Sequence, residues 1–505
     1  MIKLSNIHQV HFLTFSIIPL LLIFSFNVQE ISITDIFIPI LVSIAISIIT
    51  FFILKLKFDF QKSSLILSVF LICFLIYGNI RYILQNDLQL ENTFLSSSIF
   101  LGFIFIFISL ISIYYIFKKN IQKEIHKIFS IFSITLVLIL IPNIMIFYIN
   151  NDFDSNSIFE INLDFKMENR PDVFVILADE FAGPIQLSQD FDYYPTILYD
   201  NLKIKNFQIV ENALSNYPNT AYSLPSTLNM DYLEFIPQYV GEKSKNTLLA
   251  YELRNDNNVM KIFKKNGYKI TSFYGGMGSV GDTSLVSEKP CAPFNINNDL
   301  KEKYFQIYIP FTFFNNNLVN NPLNEKLTCI QNHIKNLQPS SEPQLHFIHL
   351  RLPHSPFVFD SNGNFIQNSQ LESSNSNAYL EQLIFTENTI VNLVNDIQEN
   401  DPDSAIIIFS DHGFRSHIDW SKHDGENLIR GHNVIVAYNF PNVKYNLPEN
   451  LSLVNLFRIF FNQYSNEQFE LLENKFFWYD PNEPNNHFDV TNKILDFVNN
   501  HNFKN

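Results

Sequence analysis

Five long apolar segments, near residues 10–28, 35–55, 63–83, 93–118 and 125–149, constrain this chain more than any other feature. Crossing a bilayer as a helix takes about 20 apolar residues. Within hydrocarbon every backbone polar group must be satisfied inside its own segment. The segments are therefore expected to be membrane-spanning helices. A cleaved signal peptide does not account for the first, because four more follow.

The charges between the segments set an orientation. Lys55, Lys57 and Lys62 follow the second segment, and Lys118, Lys119, Lys123 and Lys127 follow the fourth. Glu30 and Asp35 follow the first, Asp87 and Glu91 follow the third, and Lys3 precedes the first. Basic links stay in the cytoplasm. An odd number of crossings then delivers residue 151 onward to the outer side. Residues 1–150 are read as the membrane domain, 151–170 as a polar linker and 171–505 as one extracytoplasmic domain.

The formal charge of −15 excludes a general nucleic-acid binder, which needs a basic face. Cys73 lies in an apolar run and reads as packing. Cys291 and Cys329 flank a Phe- and Asn-rich stretch; in an oxidising compartment they either pair or stay as separate thiols.

From Pro171 the pattern changes. Continuous apolar runs of strand length occur at 172–178, 268–274, 345–350, 405–410 and 434–439. Runs without polar alternation suit parallel strands covered on both faces. Helical patterns lie between them, near 221–232, 246–266, 377–399 and 451–463. Strands alternating with helices predict an α/β domain with a mostly parallel central sheet. In such sheets the active groups gather beyond the carboxyl ends of the strands.

Those ends carry the chemistry. Asp179 and Glu180 follow the first strand, Arg351 and His354 the third, and Asp411 and His412 the fourth, in "FSDHG". A lone acid or histidine there can be a turn or a cap. Three such ends in one domain point to a convergent site for a divalent cation, Zn²⁺ or Mn²⁺. Gly413 is expected to let the backbone turn away beside it. Within "NTAYSLPSTLN", Pro225 places a helix start near 220–224. Thr220 or Ser223 would sit at that N-terminus, as a plain cap or as a metal-activated nucleophile.

The ordered set "VILADE", "NTAYSLPS", "HLRLPHSPF" and "FSDHG" resembles the alkaline phosphatase superfamily in its sulfatase-like branch. Membrane spans before such a domain resemble the phosphoethanolamine transferases and the lipoteichoic acid synthases. The resemblance implies Asp179, Thr220, Asp411 and His412 as metal ligands, with Thr220 as nucleophile and Glu180 near or in the metal shell. It implies His354 as a contact of the transferred group or of a second metal. A later histidine completes such sites; His432 is chosen, with His417 and His423 as rivals. It further implies a phospholipid or lipid-linked donor, an envelope glycan or lipid acceptor, and a place in a bacterial inner membrane.

Thr227 stands where a sulfatase would carry the Arg of its C/S-x-P-x-R pattern. That weighs against a sulfatase using a modified Ser223, which stays as an alternative, as does an inactive envelope scaffold. The expected activity is a metal-dependent phosphoryl-type transfer or hydrolysis through a covalent threonine.

Overall fold

The structure is a computed structural model. It describes residues 10–26, 33–84, 97–150, 161–273, 284–291, 322–338, 340–366, 375–441 and 450–500, with positions 159, 280 and 448. Lys3, Glu30, Asp87 and Glu91, much of the 151–170 linker and most of residues 275–330 lie outside them. The described residues fall into two compact units, divided after Asp152.

The first unit holds five apolar helices: α1 (His11–Phe26), α2 (Ile33–Lys55), α3 (Phe60–Tyr82), α4 (Ser98–Lys118) and α5 (Gln122–Asn150). Among the described residues, α2 to α5 are long and apolar enough to cross a membrane; α1 is shorter. Leu20, Leu21 and Phe24 of α1 pack with Ile36, Leu140 and Ile144. Large side chains such as Phe37, Phe103, Phe107 and Ile131 face outward, as lipid-facing positions do. Asp59 caps α3 by accepting from the Lys62 amide (2.8 Å), inside the basic link.

The second unit is built on a six-stranded sheet. In chain order its elements begin β1 (Val173–Ala178), α6 (Pro184–Phe191), α7 (Thr196–Ile204), β2 (Gln208–Val210), β3 (Asn212–Leu214) and α8 (Thr220–Asn229). There follow α9 (Ile236–Val240), α10 (Leu248–Asn255), α11 (Asn258–Lys265), β4 (Lys269–Phe273), α12 (Pro322–Lys335), β5 (Gln344–Leu350), α13 (Ser376–Asn400) and β6 (Ala405–Phe409). The last are α14 (Gly425–His432), β7 (Val436–Asn439), β8 (Asn450–Ser452), α15 (Leu456–Gln463), β9 (Phe477–Asp480), β10 (Glu483–Asp489) and α16 (Thr491–Asn500).

The sheet runs β2-β7-β6-β1-β5-β4. β6, β1, β5 and β4 are parallel, and β1 is central. The expected strand at 434–439 is present but antiparallel to β6, so the sheet is mixed. Every residue of β1 is buried. Val173, Val175 and Leu177 enter one core with Ile407 and Phe347; Phe174 and Ile176 enter the other with Ile406 and Ile348. The alternation is real, but both faces are apolar, so it is invisible in the sequence.

Two helical expectations change. The 246–266 pattern is two helices, because Asn257 stops α10 and caps α11 by accepting from Met260 N (2.9 Å). The 451–463 pattern opens as strand β8 and a short 3-10 turn before α15. Cys291 and Cys329 form a disulfide, with a Cα separation of 5.7 Å. Both tryptophans of the chain, Trp420 and Trp478, lie in this unit and pack at 4.9 Å.

Candidate active site

Adjacent strands β6, β1 and β5 end side by side, and the residues just beyond them converge. The register pairs Ala178 with Leu350 and Leu177 with both Phe409 and His349. Asp179 and Asp411 therefore leave the sheet next to each other.

Asp411 is fully buried. Its Oδ1 accepts from the amides of Glu180 (3.2 Å) and His412 (3.0 Å). These bonds aim the other oxygen: among the described residues, Asp411 Oδ2 and Asp179 Oδ1 are buried without a hydrogen-bond partner. His412 Nε2 stands 3.6 Å from the first and 3.9 Å from the second. The His412 Nδ1 faces the Gly413 carbonyl at 2.8 Å, so Nδ1 carries the proton and Nε2 presents its lone pair. Ligand atoms of Asp179, Asp411 and His412 lie within 4.8 Å of one another. Two partnerless buried carboxylate oxygens and an imidazole lone pair fit a divalent cation of the Zn²⁺ or Mn²⁺ kind.

Burial pushes the Asp179 carboxyl up. His354, His349 and His412 outweigh that effect and hold it well below the usual carboxylate range. Asp179 is thus ionised, as a ligand must be.

Thr220 is the first residue of α8, preceded by the N-cap Asn219, whose side chain accepts from Tyr222 N (3.1 Å). Its Oγ1 lies 3.1 Å from His412 Nε2. Pro225 falls inside this helix rather than in its first turn. Ser223, one turn on, is fully buried; its hydroxyl donates to the Asp411 carbonyl (2.6 Å) and lies 2.8 Å from Ser215 Oγ.

Glu180 has a left-handed backbone, φ 62°. Its side chain accepts from Arg415 N (3.1 Å), and Oε2 lies 3.8 Å from His354 Nε2. His354 donates from Nδ1 to its neighbour's carbonyl, Ser355 O (2.6 Å). Gly413 serves close packing: a Cβ there would strike the Arg430 carbonyl and the Gln186 side chain.

The three later histidines do not join the cluster. His432 is buried with Nδ1 on Leu428 O (2.8 Å) and Nε2 on Phe477 O (3.1 Å), and burial lowers it to about 4. His423 is exposed beside Phe488. His417 faces Asp190 and Ser376. The histidine that does approach is His349, the penultimate residue of β5, with Nε2 3.4 Å from Asp179 Oδ2. The strand-end rule passes over it because it lies within the strand.

Arg415 is a second residue that the strand-end rule does not reach. Its Nε lies 3.8 Å from Glu180 Oε1. Burial works against its charge, and Glu180, Tyr479, Asp179 and Asp411 outweigh burial. Tyr479 bonds both to Arg415 and to Asn219, tying the guanidinium to the residue that caps the Thr220 helix.

A family model, Sulfatase, matches residues 171–499. No curated protein matches the chain. Solved structures similar to it include the C-terminal periplasmic domain of EcEptC from Escherichia coli in complex with Zn. The identity there is 14%, covering 64% of this chain and 94% of that one, with a TM-score of 0.41. The integral membrane protein lipooligosaccharide phosphoethanolamine transferase A from Neisseria meningitidis is 13% identical over 90% of this chain and 95% of that one, with a TM-score of 0.40. The periplasmic domain of phosphoethanolamine transferase EptC from Campylobacter jejuni is 16% identical over 57% and 88%, with a TM-score of 0.35.

Proposed function

The chain belongs to the sulfatase family, and from that premise we propose that it is a metal-dependent phosphoryl-type transferase or hydrolase with Thr220 as nucleophile. The observation that carries this reading is the 3.1 Å approach of Thr220 Oγ1 to His412 Nε2, beside two carboxylate oxygens without a hydrogen-bond partner among the described residues. A divalent cation held by Asp179, Asp411 and His412 would neutralise charge on a phosphate and favour ionisation of a nearby hydroxyl.

The chain's own residues supply the rest. Thr220 opens a helix, so backbone N–H groups and the dipole favour an anion in front of it. Its hydroxyl attacks phosphorus as its proton is released to solvent, and the bond to the leaving alcohol breaks. Arg415, held by Glu180 and Tyr479, is proposed to bind a non-bridging oxygen of the group being transferred. His354, with Nδ1 tied to Ser355 O, presents an Nε2 lone pair that can take up a proton from solvent and hand it to the leaving alcohol. A hydroxyl of the acceptor, or water, then takes the group from Thr220.

The proposed donor is a phospholipid or lipid-linked head group, and the acceptor an envelope glycan or lipid. The helices keep the enzyme at the surface where both occur. The basic links after α2 and α4 support an extracytoplasmic catalytic domain in a plasma membrane. The disulfide suits an oxidising compartment. The sulfatase reading through Ser223 is disfavoured because that hydroxyl is buried and bonded to Asp411 O. Mass spectrometry of the peptide spanning 212–233 after incubation with donor tests the proposal. A phosphoryl-type adduct on Thr220 is expected; formylglycine at 223 would replace this reading with the sulfatase one.

A further inference from the structure

His417 lies five residues beyond the metal cluster's histidine and closes a different polar constellation. Its Nε2 is 2.7 Å from Ser376 Oγ, and its Nδ1 is 3.3 Å from Asp190 Oδ2. Asp190 sits near the end of α6, Ser376 opens α13, and His417 ends a short 3-10 turn after β6. A carboxylate beside Nδ1 fixes the ring proton there. The Nε2 lone pair then accepts from the Ser376 hydroxyl. We propose that Ser376, His417 and Asp190 form a second catalytic site, a serine-hydrolase centre for carboxylic esters, distinct from the metal cluster.

Three further observations support it. First, Asp190 is a fixed anion whose side chain is only 4% exposed. Arg430 Nε donates to both of its oxygens (3.0 and 3.1 Å), and Gln186 Nε2 adds a bond of 3.3 Å. Burial pushes the carboxyl up, but its bonds to His417 and Arg430 prevail and keep it low. Second, the imidazole is clamped. It stacks on Phe191 (5.6 Å, 17°) and meets Phe414 edge-on (5.1 Å). Its side chain is nevertheless 28% exposed, so a substrate can reach it.

Third, Ser376 starts a helix of 25 residues. Asn375 accepts the Ala378 amide through its side chain (3.1 Å) and the Tyr379 amide through its carbonyl (3.0 Å). The N–H groups of Ser376 and Asn377 belong to the first turn and have no intrahelical acceptor. They lie at the positive end of the helix dipole, where a developing oxyanion is favoured.

The step balances on these groups. Ser376 Oγ bonds to the ester carbonyl carbon while its proton passes to His417 Nε2. The tetrahedral oxyanion collapses, the bond to the alkoxy group breaks, and His417 returns the proton to the leaving alcohol. Water then attacks the acyl-serine, giving its proton to His417, and the acid departs as Ser376 Oγ regains a proton.

The test is covalent labelling of the full-length protein in detergent with a fluorophosphonate probe. Ser376 displaces fluoride from the probe, and peptide mass spectrometry locates the adduct. The expected result is label at Ser376, absent in Ser376→Ala and slowed about 100-fold or more in His417→Ala. Asp190→Asn should slow it comparably, because the ring then favours the wrong tautomer. Thr220→Ala should still be labelled at Ser376, which separates this site from the proposed phosphoryl-transfer site. A serine that only ties down a helix start would stay unlabelled. Failure of folded protein to label at Ser376, or labelling there that is indifferent to His417→Ala, overturns the proposal.

Discussion

Thr220 Oγ1 and His412 Nε2 lie 3.1 Å apart although 192 positions separate them in the chain. One stands at the start of a helix and the other just beyond a strand. Their meeting brings a hydroxyl to two buried carboxylates, each of which keeps one oxygen without a hydrogen-bond partner among the described residues.

Removing that hydroxyl should silence the proposed transfer while sparing the cage. Thr220→Ala is expected to lower turnover about 1,000-fold or more, with bound metal unchanged by elemental analysis. Thr220→Ser should retain measurable turnover. Full activity in Thr220→Ala would eliminate threonine as nucleophile.

Asp411→Asn separates metal binding from folding. Asn Oδ1 can still accept from the amides of Glu180 and His412. Its new N–H₂ can donate toward Asp179, whose Oδ1 has no partner among the described residues. Metal-free Asp411→Asn should therefore melt no lower than the metal-free parent. The rise in Tm that Zn²⁺ or Mn²⁺ gives the parent should disappear. A metal-induced rise that persisted in the variant would place the ion elsewhere.

Arg415→Ala should weaken binding of an anionic substrate. With a p-nitrophenyl phosphodiester, KM is expected to rise about 10-fold, with a partial recovery in Arg415→Lys. An unchanged KM would remove Arg415 from the substrate's path.

Glu387 carries a pH signature away from the cluster. It accepts from Tyr193 Oη (2.7 Å) and Leu198 N (2.8 Å), and burial raises it from 4.5 to about 7. A raised folded value means the associated stability is complete below about 4.5 and is lost as pH climbs through about 7. The loss is on the order of 3 kcal/mol. Unfolding followed by tryptophan emission reports this unit alone, because Trp420 and Trp478 are the chain's two tryptophans. Glu387→Gln should flatten the dependence between pH 5 and 8 relative to the parent; parallel curves would show that the carboxyl does not titrate there.

The strand cores and the polar groups at their ends are legible in the sequence, because a continuous apolar run and the residues bordering it are local features. Asp179, Asp411 and His412 are accessible on that basis. His349 is not: its role depends on register, the pairing of His349 with Leu177 across β1 and β5. His432 does not reach the cluster because "IRGHN" sits on α14, whose packing turns that ring toward backbone carbonyls. Asn257 breaks the long 246–266 helix through capping, a signal present in the sequence but outweighed there by apolar spacing. Arg415 gains its meaning only once Glu180 and Tyr479 are beside it.

The bond from Glu180 N to Asp411 Oδ1 joins positions 231 residues apart. Chains are made at roughly 5–20 residues per second, so about 10 to 50 s separate the emergence of its two ends. A polypeptide threaded outward during synthesis would show its first acidic ligand long before the second. The cage could not close on an ion until the chain had crossed as far as His412. Ion selection would then be governed by which cations are free outside the cell membrane, and not by the cytoplasmic pool.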